Sequence, residues 1–258
     1  MNFSLEGRTY VVMGVANKRS IAWGIARSLH DAGARLIFTY ANERFEKPVR
    51  DLGDSLEGQE SLYYECDVTD DEAIKKTFAD IKNDVGTIHG LAHCIAFANR
   101  DELNGEYMNV TRDGFKLAHD ISAYSLTAVA KEAYPLMTEG GGIVTMTYLG
   151  GEKVVNNYNV MGVAKASLDA SMRYLANDLG KHGIRVNAIS AGPIRTVSAK
   201  GVGSFNTILK EIEERAPLRR PVSQEEVGDT AYYLLSDLSR GVTGEIIHVD
   251  SGFNIIGF

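Results

Sequence analysis

The chain has 258 residues, 44% of them hydrophobic and 24% charged, with a formal net charge of −7. That length suits one large α/β core, and the acidic balance argues against broad nucleic-acid binding, which needs clustered Lys and Arg. The longest apolar runs are strand-sized, such as Leu36-Ile37-Phe38, so no membrane span is expected.

Residues 1–6 lack the basic and apolar regions of a secretory signal. The two cysteines, Cys66 and Cys94, have no metal-ligand spacing and read as reduced, buried thiols of a cytoplasmic protein. Short β-branched strands are expected at 9–14, 35–40 and 61–66, with helical patterns at 20–32, 42–52 and 70–85. Asp70 is placed to cap the third helix and Gly86 to stop it. Buried-strand runs follow at 88–96, 142–148 and 184–190, with long helices at 111–131 and 158–182, and a last strand at 245–249. Strands separated by helix-length segments form βαβ units. The expected architecture is therefore a mostly parallel, doubly wound Rossmann-type sheet in a single domain, 1–258, with ligand at the carboxyl ends of the strands.

The first strand leads into Gly14-Val15-Ala16-Asn17-Lys18-Arg19-Ser20-Ile21-Ala22-Trp23-Gly24. In a dinucleotide fingerprint, glycines let the backbone reach a pyrophosphate seated on a helix N-terminus. Here Ser20 stands where a middle glycine is usual, placed to cap the helix and offer its hydroxyl and N–H to phosphate. At the tip of the second strand, Tyr40-Ala41-Asn42 supplies no cation, and Arg44 reads as a solvated helix-start residue. That favours NADH over NADPH. Asp67-Val68, beyond the third strand, fits an adenine edge or a plain loop.

The most specific feature is Tyr158-Asn159-Val160-Met161-Gly162-Val163-Ala164-Lys165. Seven residues are almost two helical turns, so Tyr158 and Lys165 project from one face. A lysine there favours the phenolate and can hold ribose hydroxyls. Gly162, Ala164, Ala166 and Ser167 are small, as a close approach requires, and Gly192-Pro193 closes a strand with a turn.

Together these segments resemble the short-chain dehydrogenase/reductase superfamily over essentially the whole chain. Tyr148 lies ten residues before Tyr158, and Ser190-Ala191-Gly192-Pro193-Ile194-Arg195-Thr196 follows downstream. With Ser20-Ile21-Ala22 and His93-Cys94-Ile95-Ala96-Phe97-Ala98, they resemble the bacterial NADH-dependent enoyl-acyl-carrier-protein reductases. Thr145 replaces the serine that common superfamily members carry thirteen residues before the tyrosine, and Ile95-Ala96-Phe97-Ala98 replaces their Asn-Asn-Ala-Gly.

The resemblance implies reduction of a trans-2-enoyl group on acyl-carrier protein by NADH in fatty-acid elongation, by a cytoplasmic homotetramer. It makes Tyr148 and Tyr158 the active-site tyrosines and Lys165 the cofactor-anchoring lysine. It places Gly14, Ser20, Ile21, Ala41, Asp67, Val68, Ile95, Ile194, Arg195, Thr196, Val197 and Ser198 around NADH. Ala98, Tyr148, Tyr158, Met161, Phe205 and Ile208 are the expected acyl-facing residues, under a lid near 195–210. Arg195, Lys200, Lys210, Arg219 and Arg220 are candidates for steering the acidic carrier. Two alternatives stay open: a 3-oxoacyl or other carbonyl reductase on the same fold, and a non-catalytic NAD(P)-sensing protein.

Overall fold

The computed structural model describes residues 3–196 and 205–257. Seven strands form its sheet: β1 (Thr9–Met13), β2 (Arg35–Tyr40), β3 (Leu62–Glu65), β4 (Gly90–His93), β5 (Gly141–Thr147), β6 (Ile184–Ala191) and β7 (Ile246–Val249). All neighbours are parallel, in the order β3-β2-β1-β4-β5-β6-β7. The order reverses between β1 and β4, the switch point where such sheets open a crevice at their carboxyl edge.

Strand side chains alternate between faces, and the two cores record it. Val11, Met13, Ile37, Ile143 and Val186 face one core; Tyr10, Val12, Phe38, Val144 and Ile189 face the other. Helices cover both faces: α1 (Ile21–Asp31), α2 (Glu43–Gly53) and α3 (Asp71–Val85), then α4 (Arg112–His119), α5 (Ser125–Ala133) and α6 (Asn159–Gly180), and finally α7 (Phe205–Arg215) and α8 (Gln224–Leu235). Burying a side chain such as Phe38 or Leu29 stabilises by about 1.5–3 kcal/mol each, which explains why apolar runs on both faces persist. Asp70 caps α3, accepting from the Glu72 and Ala73 N–H groups, and Gly86 ends it. None of the described helices is long and apolar enough to cross a membrane.

Two elements depart from the sequence expectation. The 111–131 segment is not one helix; a π-turn, Asp120–Tyr124, separates α4 from α5. After β6 come α7 and α8, for which no helix had been expected. Ser223 and Glu226 close a reciprocal capping box at the start of α8.

α8 packs on α1 through two glycines. A Cβ on Gly228 would lie 2.5 Å from the Gly24 carbonyl, and one on Gly24 would lie 2.5 Å from the Gln224 carbonyl. Gly228→Ala gains about 1 kcal/mol in helix propensity, but overpacking typically costs about 1–3 kcal/mol and the obstacle is backbone. A lower midpoint in thermal or denaturant unfolding is expected; an unchanged midpoint would mean that the helices can part at no cost.

Candidate active site

The carboxyl edge of the sheet gathers most residues singled out in the sequence. Gly14 follows β1, Ala41 follows β2, Asp67 and Val68 lie just beyond β3, Ile95 beyond β4, Tyr148 follows β5, and Ile194 lies beyond β6. Gly14 has φ +93°, and a side chain there would run into the carbonyl of Cys94. The β1 loop and the end of β4 therefore meet at the switch point only because position 14 lacks a Cβ.

Ser20 stands at the N-cap of α1 but makes no cap bond. Its hydroxyl turns back to accept from the Ala16 N–H at 3.0 Å and the Asn17 N–H at 3.1 Å, because the loop curls over it. The capping expectation is thus corrected. The start of α1, at Ile21, has no side-chain cap and no acid in its first turn, which suits an anion. Asn42 caps α2 by accepting from the Arg44 N–H at 3.2 Å, and Glu43 and Glu46 put acid in that turn. Beside exposed Ala41, those carboxylates would oppose an additional phosphate. Asp67 is exposed and accepts from the Thr69 N–H at 2.9 Å and hydroxyl at 2.8 Å, while Val68 is buried.

Tyr158 is the N-cap residue of α6, and its ring meets Tyr148 edge to face, with centroids 4.9 Å apart at 71°. Glycines permit this. A Cβ on Gly162 would sit 2.7 Å from the Gly150 carbonyl, and one on Gly150 would strike the Tyr158 ring. The turn Leu149–Gly151 can therefore lie flat on α6.

Lys165 is 5% exposed, and its Nζ donates to the Met146 carbonyl at 2.7 Å. Burial pulls its pKa down to about 8, while Asp169 and Cys94 hold it up against that fall. Burial pushes the Tyr158 phenol up, and Tyr148 and Asp169 push it further. All of these influences favour the protonated phenol, the form in which Tyr158 can donate a hydrogen bond. Burial also raises Tyr148, with Asp250 adding to it.

Asp169, one turn beyond Lys165, was not read from the sequence, although an acid four residues on shares the lysine's helix face. It is buried, and among the described residues its Oδ1 has no hydrogen-bond partner. Thr145 is fully buried, its hydroxyl 3.1 Å from Nδ1 of His93, its partner across the ladder. Cys66 and Cys94 are free thiols; burial pushes Cys94 up to about 12.

On the acyl side, Met161, Val160, Ala164 and Leu103 form a small apolar cluster against which Ala98 and Tyr158 pack. Ile208 is half-buried on α7, outside that cluster. Ile194 and Thr196 are half-buried and Arg195 is exposed. Val197, Ser198 and Lys200 lie outside the described residues, as does the side chain of Phe205. Of the proposed steering cations, Lys210 pairs with Glu214 at 3.8 Å and Arg220 with Glu226 at 2.6 Å, while Arg219 donates to the Glu214 carbonyl.

Comparison with known proteins fits this geometry. The family model described as Enoyl-(Acyl carrier protein) reductase matches residues 14–254. The chain belongs to the enoyl-(acyl carrier protein) reductase family. It is 74% identical to the Bacillus cereus enoyl-[acyl-carrier-protein] reductase [NADH] FabI, over 98% of this chain and 99% of that protein. It is 63% identical to the Staphylococcus aureus (strain MRSA252) enoyl-[acyl-carrier-protein] reductase [NADPH] FabI, again over 98% and 99%. The crystal structure of the Bacillus cereus enoyl-acyl carrier protein reductase with NADP+ and indole naphthyridinone matches with TM-score 0.98 and 73% identity, covering all of both chains. The Rossmann-type fold of this reductase family is therefore the fold of the chain.

Gly162→Ala tests the geometry of the tyrosine pair. The added methyl must push the Leu149–Gly151 turn off α6, so turnover should fall at least tenfold while secondary structure by circular dichroism is retained. Full activity would mean that the Tyr148–Tyr158 contact is not needed.

Proposed function

We propose that Tyr158, Tyr148 and Lys165 are the working group of an NADH-dependent reductase acting on the C2–C3 double bond of trans-2-enoyl chains carried by acyl-carrier protein. The observation that carries this reading is the edge-to-face Tyr148–Tyr158 pair at the head of the helix that carries buried Lys165, with the Thr145 hydroxyl buried against His93. A carbonyl reductase uses a hydroxyl at that position, and here it is occupied by His93. A cofactor-sensing protein has no use for a buried donor and cation in this arrangement.

The residues fit a dinucleotide. The uncapped, acid-free start of α1 at Ser20 and Ile21 would take the pyrophosphate. Asp67 and Val68 would flank the adenine, Ala41 the ribose, and Ile95 and Ile194 to Ser198 the nicotinamide. Lys165, with the acid of Asp169 one turn further along α6, would hold ribose hydroxyls. Acid at the head of α2 favours NADH over NADPH. When bound, NADH supplies the hydride. Tyr158 then donates a hydrogen bond to the thioester oxygen, where negative charge builds as the β-carbon is reduced. A donor aimed at developing charge stabilises the transition state more than the substrate. Because burial keeps the phenol protonated, it serves as a donor at neutral pH. Tyr148 fixes the Tyr158 ring, and Ala98 and Met161 line the acyl chain.

The segment 195–210 is read as the lid of this single domain, and Phe205 and Ile208 as acyl-facing residues of it. Fatty-acid elongation in the cytoplasm, as a homotetramer, is the expected setting. Exposed Phe115 and Tyr124 line a concavity of about 770 Å³ formed by α4, the π-turn and α6. A second copy of the chain is the occupant that suits it. For carrier docking, Arg195, Lys200, Lys210, Arg219 and Arg220 stay the candidates, with Lys210 and Arg220 already paired to Glu214 and Glu226.

Purified protein should oxidise NADH with a crotonyl thioester and leave an acetoacetyl thioester almost untouched; the reverse preference would overturn the reading. Tyr158→Phe should lower kcat by about 10²–10³-fold, the usual effect of losing one such donor, with little change in NADH affinity. Lys165→Ala should weaken NADH binding. The Lys165 charge is present below about pH 8 and lost above it, so NADH affinity should fall as pH rises through 8 in the wild type. In Lys165→Ala that fall should be absent.

A further inference from the structure

The π-turn between α4 and α5 reassigns two serine hydroxyls to the outgoing end of β4. The Ser125 N–H donates to the Asp120 carbonyl, five residues back. The Ile121 carbonyl, its partner in a regular α-helix, instead accepts the Ser125 hydroxyl at 2.7 Å. Having spent its hydrogen, Ser125 Oγ accepts from Nε2–H of His93 at 2.9 Å. The free Nδ1 lone pair then faces the Thr145 hydroxyl at 3.1 Å. Buried His93 is neutral, its pKa pulled down to about 3 by burial and, secondarily, by Lys165.

Ser122 is also fully buried. Its hydroxyl accepts from the Phe97 N–H at 2.9 Å and donates to the Phe97 carbonyl at 3.1 Å. One side chain thus satisfies both backbone groups of a residue that has already left the ladder. The ladder at β1 makes its last bond here from the Cys94 N–H to the Met13 carbonyl at 3.3 Å. The Phe97 ring cannot anchor the segment by burial, being 48% exposed. The π-turn therefore grips His93 and Phe97, and the chain between and just beyond them forms one wall of the crevice, with Ala98 packed against the same apolar cluster that Tyr158 packs on.

We propose that Ser122 is a positioning residue for the acyl side of the site: its two bonds to Phe97 fix where Ala98 stands relative to Tyr158, and so set KM for the enoyl thioester rather than affinity for NADH. This rests on the reading of Ala98 and Tyr158 as substrate-facing. A buried hydroxyl with two backbone partners is costly to delete, since both partners are left unsatisfied.

The test is Ser122→Ala, with Ser122→Cys as a near-isosteric second variant that fills the same space if the alanine protein does not fold. In either, KM for a crotonyl thioester should rise about five- to tenfold, the effect of losing about one net hydrogen bond. NADH affinity should stay within twofold, and the Phe97 amide should lose protection in hydrogen exchange with NADH bound. Wild-type KM together with unchanged Phe97 exchange would overturn the proposal. A parallel loss of NADH affinity and thermal stability would also overturn it, as a purely structural role. Wild-type protein that cannot reduce the thioester would sink the functional reading and the KM effect with it, whereas unchanged Phe97 exchange in an active variant would sink the clamp alone.

Discussion

An ammonium group folded into the seam between α6 and the end of β5 sets the terms for everything around it. Burying a charge is expensive unless partners offset the loss of water. Lys165 has the Met146 carbonyl at 2.7 Å and an acid, Asp169, one turn away. The same exclusion of water acts on the tyrosines with opposite chemical effect: it lowers the lysine and raises Tyr158 and Tyr148. A single apolar seam thus yields a cation close to neutrality and a phenol that keeps its proton. That combination suits hydrogen-bond donation to a nascent enolate and is ill suited to base catalysis by the tyrosine.

The seam holds because the backbone around it departs from regular geometry at a few defined places. Gly14 lets β1 and β4 converge, Gly150 and Gly162 let a turn lie on α6, and the π-turn redirects two serines toward β4. Local rules broken beside a crevice, inside an otherwise regular sheet and helix frame, are where function is expected to reside.

Much of this was legible in the sequence. The strands announced themselves because a parallel sheet covered on both faces needs apolar residues on both, and Asp70 and Gly86 marked the ends of α3 by their side-chain chemistry. Tyr158 and Lys165 could be paired because helical spacing alone puts them on one face. The direction of the Ser20 hydroxyl could not be read, since loop donors at Ala16 and Asn17 compete with the helix for it. The spacing of Tyr158 and Lys165 shows in the sequence, whereas the depth of burial that raises the phenol does not. The π-turn left no mark, as Ser122 and Ser125 differ little in propensity from their neighbours in a helix. The capping box Ser223-x-x-Glu226 was there to be read, and with it α8.

Where the hydride goes is the point at which an enoyl reductase and a carbonyl reductase on one fold part company. The most direct measurement is the position of the label after reduction of a crotonyl thioester with NADH deuterated at the transferred position. Reduction of the C2–C3 double bond, with Tyr158 proposed as the donor to the thioester oxygen, requires deuterium at C3 of a saturated butyryl thioester, with a solvent proton at C2. No deuterium transfer to the crotonyl thioester, with an acetoacetyl thioester instead reduced to a 3-hydroxybutyryl thioester deuterated at C3, would contradict it.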